Sequence, residues 1–389
     1  MSYRPEGCVL RSFAFGLLGL LFCGEISAQY RIAVDPSITI SGVRDDNLFY
    51  SAQAPVQDVI MRIRPGLGLQ WDTARWSADA SYELDHDRYA SHSALSNARA
   101  RQRATIAMRY QVTPRLMMAL NGGYTDTDTP SELNVETGLA TTRIRAEQVS
   151  FQPTARFRIA PRTVARATYV STISKAANGS GTSMQLQQVG VDHRVTPRDL
   201  FTLDYEQGRY GFDFDAKTRA IRTYTARAGW IRDLGPLTQL MVEGGPRLAD
   251  HSVEPEFLAS LTHRWQFMSM SIGCQQTQTT VLGYVGTLQT QSVHAALIYT
   301  PTRSFTAYAT PALLRTAQRD LQAKVYRLAL GARYAMTSLV GLEVAYSFDT
   351  QHGAIDPLRV NGEFSHHMLS VGFTSRWRNP GTAATGPWR

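Results

Sequence analysis

Imidazoles beside carboxylates are the side chains that most often hold metals or move protons, so they come first. Two groups qualify. Asp85, His86 and Asp87 would be a metal site, and Ser365, His366 and His367 with Asp356 would be a hydrolase site. Both lie where an alternating stretch gives way to a polar one, as strand-to-loop borders do, so neither is expected to react and no enzyme is expected. No Gly-rich phosphate loop, zinc spacing or nucleic-acid motif is found, so no cofactor, resident metal or nucleic-acid partner is expected either. The remaining chemistry belongs to arginine. Lys175, Lys217 and Lys324 are the only lysines among 40 cationic residues, against 32 acids, for a net charge of +8. The flat guanidinium fork suits recognition of anions, although a GC-rich genome gives the same bias.

What must position these arginines is a strand. In "ARARQRATIAMRY" (residues 98–110), Arg99, Arg101, Arg103 and Arg109 share one parity while Ala104, Ile106, Met108 and Tyr110 share the other. Period two is the strand signature. The same split sets Met61, Ile63, Leu67 and Leu69 against Arg62 and Arg64, and Trp76, Tyr82 and Leu84 against Asp79, Glu83 and Asp85. It also sets Leu328, Leu330 and Tyr334 against Arg327 and Arg333. Such strands are long enough for a tilted membrane crossing.

Turns recur between them. "YQVTPRL", "RIAPRTV", "HRVTPRDL", "DLGPLTQ" and "IYTPTRS" place Pro114, Pro161, Pro197, Pro236 and Pro301 at short breaks, with "DTAR", "HRWQ" and "AMTS" as Pro-free equivalents. Proline presets the turn angle and removes no ladder donor there. Longer polar stretches alternate with the turns, at residues 125–142, 174–183 and 349–363. Short turns at one end and longer loops at the other describe an outer-membrane barrel with periplasmic turns. One strand on each side of every turn, plus residues 37–43 first and 366–377 last, gives about eighteen, or sixteen if two elements are misread. The fold class is all-β, a transmembrane antiparallel outer-membrane β-barrel. Trp71, Trp76, Tyr110, Trp230, Tyr299, Tyr334 and Trp377 fall on the outward parity near short turns, where membrane interfaces take aromatic rings.

The segment before the barrel has the three parts of a secretory signal: Arg4 and Arg11, the apolar "SFAFGLLGLLFCG", and "ISA" before Gln29. Residues 1–28 are expected to be a signal cleaved near Ala28, residues 29–377 the barrel, and 378–389 a short periplasmic tail. Cys274 alone then remains, and no internal disulfide forms.

On this reading the pore side carries Arg62, Arg64, Asp79, Glu83, Asp85, Arg99, Arg101, Arg103, Arg109, Arg156, Arg166, Arg227, Arg327 and Arg333. The acidic column from Asp79 to Asp85 stands between two basic ones, so part of this charge is self-neutralising. Either the surplus guides hydrated anions by weak contacts, or these are the polar residues of any wet lumen.

The stretch "DVIMRIRPGLGLQWDTARWSADASYELDHDRYA" (residues 58–90), followed by "RYQVTPRLMMALNGGYTDTDTP", resembles the beta-barrel porin-2 family. The resemblance implies a conduit for secretion of an exopolysaccharide or capsular polysaccharide, working with a periplasmic polysaccharide-export protein. Its other surroundings would be outer-membrane lipids, lipopolysaccharide and the barrel-assembly machinery. The alternatives are a general or anion-preferring diffusion porin, or a structural or adhesive barrel. A diffusion porin is expected to fold a long loop into its lumen, and no stretch of this sequence stands out as such an eyelet.

Overall fold

The structure is a computed structural model that describes residues 31–377 apart from 130–131, 141–142, 215–216, 250–251, 283, 319–320 and 354–362. The expected signal, the tail and Asp356 lie outside the described residues.

Eighteen antiparallel strands follow one another in chain order. They are β1 (Arg31–Asp45), β2 (Asp58–Asp72), β3 (Trp76–Tyr89), β4 (Asn97–Thr113), β5 (Leu116–Thr127), β6 (Ala146–Ala160), β7 (Thr163–Ala176), β8 (Gly181–Arg194) and β9 (Asp199–Phe214). Then come β10 (Lys217–Gly235), β11 (Thr238–Ala249), β12 (Ser252–Arg264), β13 (Met268–Thr279), β14 (Leu288–Thr302), β15 (Phe305–Gln318), β16 (Leu321–Ala335), β17 (Val340–His352) and β18 (Glu363–Arg376). Each pairs with its sequence neighbours. β1 also pairs with β18, from Ser37 opposite Arg376 to Asp45 opposite Met368, so the sheet closes. Closure leaves no unpaired ladder edge in hydrocarbon, which a membrane-spanning sheet requires.

Alternation puts apolar side chains outside. Ile32, Val34 and Ile40 of β1, Val59, Met61, Leu67 and Leu69 of β2, and Leu203 and Tyr205 of β9 are all exposed, with Leu203 at 65%. In a soluble protein such a surface would aggregate; around a barrel it faces lipid. Near the short turns Trp76 stacks on Trp71 and on Tyr110, at centroid distances of 6.3 and 4.6 Å. The indole of Trp230 donates to Asp199 at 3.0 Å. Apolar band, aromatic rim and closure together make this an outer-membrane protein.

The short turns rest on threonine as well as proline. The Thr113 hydroxyl accepts from the amides of Arg115 and Leu116, at 3.2 and 3.0 Å. Thr73, Thr196 and Thr337 do the same for the amides two and three positions on. A side-chain acceptor fixed at the first turn residue supplies the bonds that the interrupted ladder cannot. Pro301 departs from expectation: it lies inside β14, at a register shift between Tyr299 and Thr302, and the turn follows it at Arg303 and Ser304.

The buried apolar residues are gathered at the opposite end, inside the mouth. Val43, Leu48, Ile60 and Tyr89 form one cluster, and Tyr210, Phe212 and Ile221 a second. The third joins Leu139, Val281, Leu288, Leu314, Ala323 and Val325. Full burial of a side chain such as Leu288 contributes about 1.5–3 kcal/mol, so the loops at this end are held against the wall by packed apolar clusters and narrow the mouth.

Candidate functional site: the loop across the lumen

The third cluster is built by a segment that the sequence marked only as one of the longer polar loops. Residues 128–145 leave β5 and return to β6, yet Leu139 packs with Leu314 of β15 and Val325 of β16. In the ring these strands stand almost opposite β5 and β6. Half of this loop, extended, reaches roughly 30 Å, enough to cross. The absence of an eyelet expected from the sequence is therefore corrected: the segment spans the mouth from wall to wall.

Its attachments are specific. At the near wall, Arg101 of β4 donates from one Nη1 to both carboxylate oxygens of Glu132, at 3.2 and 3.1 Å. Arg143 donates to the Tyr89 hydroxyl at 2.5 Å and lies over that ring at 5.3 Å. At the far wall, the Ala140 amide donates to Oε1 of Gln351 on β17 at 3.2 Å. The loop between β13 and β14 folds inward to meet the crossing, where the Leu282 amide donates to Oδ1 of Asn134 at 3.3 Å.

Gly138 marks the closest approach. Its φ is +65°, a region that favours glycine, and an added Cβ would lie 3.2 Å from both Leu314 and Val325. At the loop's return, burial works against the charge of Arg145. Its bond to Asp126 and the charges of Asp126 and Asp128 outweigh that, raising its pKa above the ordinary guanidinium value. The base of the crossing is thus pinned by ionic contacts and its tip by apolar ones.

Beside the loop, against β6, β7 and β8, a cavity of about 180 Å³ remains. Its walls combine the apolar Leu133, Val135, Met184 and Leu282 with hydroxyls and amides, among them Thr137, Gln148, Thr172, Ser174 and Thr182, and with Glu136 from the loop. Such groups offer water and small solutes hydrogen bonds without fixed strong binding.

The arginines expected on the pore side share the parity that meets this loop, and most carry acids. Arg64 and Arg101 donate to Asp85 at 2.6 and 2.5 Å, while Arg62 donates to Asp87 at 2.7 Å through each of two nitrogens. Arg156 pairs with Asp192, and Arg166 with Asp192 and Asp204. Arg227 is ringed by Glu206, Glu243 and Glu256, at 2.9, 2.8 and 2.5 Å. Arg247, 1% exposed and missed in the sequence reading, joins Glu254 and Glu256. Arg327 pairs with Asp349 and Arg333 with Glu343.

Arg103 and Arg109 continue the parity of Arg101 and are exposed, as are Asp79 and Glu83; none of the four has an ion-pair partner among the described residues. Arg99 stands apart. Between the pairs Asp85/Arg101 and Asp87/Asn97, three residues of β4 oppose one of β3, so Arg99 lies in a bulge and Ala100 beside it is buried. The histidine groups do not assemble. His86 is exposed on the outer parity while Asp85 and Asp87 face the arginines. His366 bonds Asp45 at 2.9 Å inside, and His367 bonds the Tyr346 hydroxyl at 2.8 Å on the other face.

No family model matches the chain, and no curated protein does. Solved structures with similar folds include the siderophore receptor PirA from Pseudomonas aeruginosa, at 10% identity and a TM-score of 0.43 over 88% of this chain and 80% of that one. OccAB4 from Acinetobacter baumannii gives 10% and 0.47 over 91% and 100%. OpdQ from Pseudomonas aeruginosa gives 9% and 0.45 over 89% and 98%.

With no family model matching the chain, the resemblance to the beta-barrel porin-2 family is overturned. Exopolysaccharide secretion falls with it, as does the periplasmic polysaccharide-export partner. Alternation and short turns are what any barrel of this size needs, so likeness in them does not identify a family. Lipids, lipopolysaccharide and assembly machinery remain the surroundings that any such barrel requires.

Proposed function

We propose that the protein is a diffusion porin whose passage is narrowed by residues 128–145. The observation that carries this reading is the crossing itself, from Arg101 on one wall to Val325 and Gln351 on the other. A loop held at both walls divides the mouth into narrower paths and excludes large solutes by size. The small cavity beside it, lined by apolar and polar groups in about equal measure, suits solutes that must enter and leave without tight binding.

The test is reconstitution of the purified barrel into planar bilayers and into liposomes swollen with solutes of graded size. Steady conductance with entry of small solutes and a sharp size cut-off is expected. Sealed bilayers with no solute entry would overturn the reading.

A further inference from the structure

On the outer face of β9 and β10, Arg209 stands directly opposite Arg222. Both are exposed, and neither has an ion-pair partner among the described residues. The arrangement recurs a third of the way round the barrel, where Arg315 of β15 stands opposite Lys324 of β16, both exposed. There, among the described residues, Arg315 bonds the neutral amide of Gln322 and has no ion-pair partner. Like charges directly opposite one another on a sheet destabilise it. Elsewhere on the same rim the chain avoids this, setting Glu147 opposite Lys175.

Height along the barrel identifies what balances these charges. Arg222 stands eight positions before Trp230, whose partner Phe201 stands eight before Arg209. Eight residues rise roughly 26 Å along a strand and about 20 Å along the axis at a tilt near 40°. Arg315 and Lys324 stand ten positions from the Phe305 and Tyr334 pair, about 25 Å by the same measure. The apolar band of such barrels is about 25 Å tall. Trp230 and Tyr334 mark its periplasmic rim, so both cationic pairs lie at the head groups of the outer leaflet. Below Arg209 and Arg222 the surface turns apolar through Tyr224, Tyr205, Leu203 and Val189.

The geometry points to a binding site for a phosphorylated glycolipid of the outer leaflet, with one phosphate clamped between Arg209 and Arg222 and acyl chains along the apolar residues beneath. Guanidinium forks match phosphate in a bidentate way. Two of them across one ladder rung place their donors around a single anion. Arg315 and Lys324 form a second clamp of the same kind, weaker because Lys324 contributes a point charge. The site lies outside the lumen and stands whether or not the pore reading holds.

The test uses the purified full-length barrel in detergent with bisphosphorylated lipid A, dephosphorylated lipid A or inorganic phosphate as probe. Native mass spectrometry reads retention and heat-modifiability reads stability. The wild type should retain bisphosphorylated lipid A, and the Arg209→Gln/Arg222→Gln double variant should retain it at least five-fold less. Arg222→Glu places an acid opposite Arg209. That variant should be more stable than the wild type without lipid and should gain nothing from lipid A. Equal retention of the dephosphorylated lipid, equal stabilisation by inorganic phosphate, or undiminished retention by both variants would overturn the proposal.

Discussion

Gly138, in the loop between β5 and β6, meets Val325 on the far wall of the barrel so closely that a single added Cβ would lie 3.2 Å from its Cγ1. Glycine is needed there twice over, for the +65° φ and for the approach. Gly138→Val is expected to lift the loop tip from Leu314 and Val325 while leaving the strands paired. Single-channel recording should then show higher and noisier conductance, with normal heat-modifiable migration on gels. Wild-type conductance in a folded variant would mean that the tip contact does not set the passage.

Facing is testable at two neighbouring positions. Leu328 lies on the outer parity and Arg327 on the inner one, paired with Asp349 at 2.7 Å. Leu328→Arg should destabilise the barrel by about 2–4 kcal/mol if it sits near the bilayer midplane. Arg327→Leu removes one partly exposed ion pair and should cost only about 0–1 kcal/mol. Urea unfolding in lipid vesicles measures both, and equal costs would show that the parity is misassigned.

Arg227 holds three carboxylates, those of Glu206, Glu243 and Glu256. Removing it leaves Glu206 and Glu243 without an ion-pair partner among the described residues and Glu256 with Arg247 alone, in a partly dry setting where breaking a buried pair costs about 3–5 kcal/mol. Arg227→Met should therefore lower the unfolding midpoint far more than Arg333→Met, whose own pair with Glu343 is well exposed. Similar losses from the two would remove the cluster as a source of stability.

Asp85 accepts from Arg64 and Arg101 and lies 3.4 Å from Arg62. Asp85→Asn removes one negative charge from the wall beside the loop, so reversal potentials at low salt should shift toward anions. The shift should shrink as salt screens the field over roughly 8–10 Å. No shift at low salt would place this cluster away from the ion path.

Much of the barrel was legible because the lipid boundary writes period two into every strand. Eighteen strands, their parity and the short turns followed from it, and the threonine at four of those turns, Thr73, Thr113, Thr196 and Thr337, was a readable signal that proline overshadowed. The crossing loop was not legible. Residues 128–145 are polar and end in nothing that marks a direction, and their anchors Leu139, Val281, Leu314 and Val325 are apolar residues scattered along the chain. The pairing of the arginines was hidden for a similar reason. A partner such as Asp192 for Arg156 becomes visible only when strand register is known, and the bulge that sets Arg99 aside interrupts an alternation that the sequence continues unbroken.

The most direct measurement is the single-channel conductance of a variant in which residues 132–140 are replaced by a short Gly-Ser linker that cannot reach Val325 or Gln351. With the wall-to-wall segment gone and the eighteen strands intact, conductance should rise several-fold and the size cut-off in liposome swelling should move to larger solutes. A folded variant with wild-type conductance and the wild-type cut-off would contradict the assignment of this loop as the restriction.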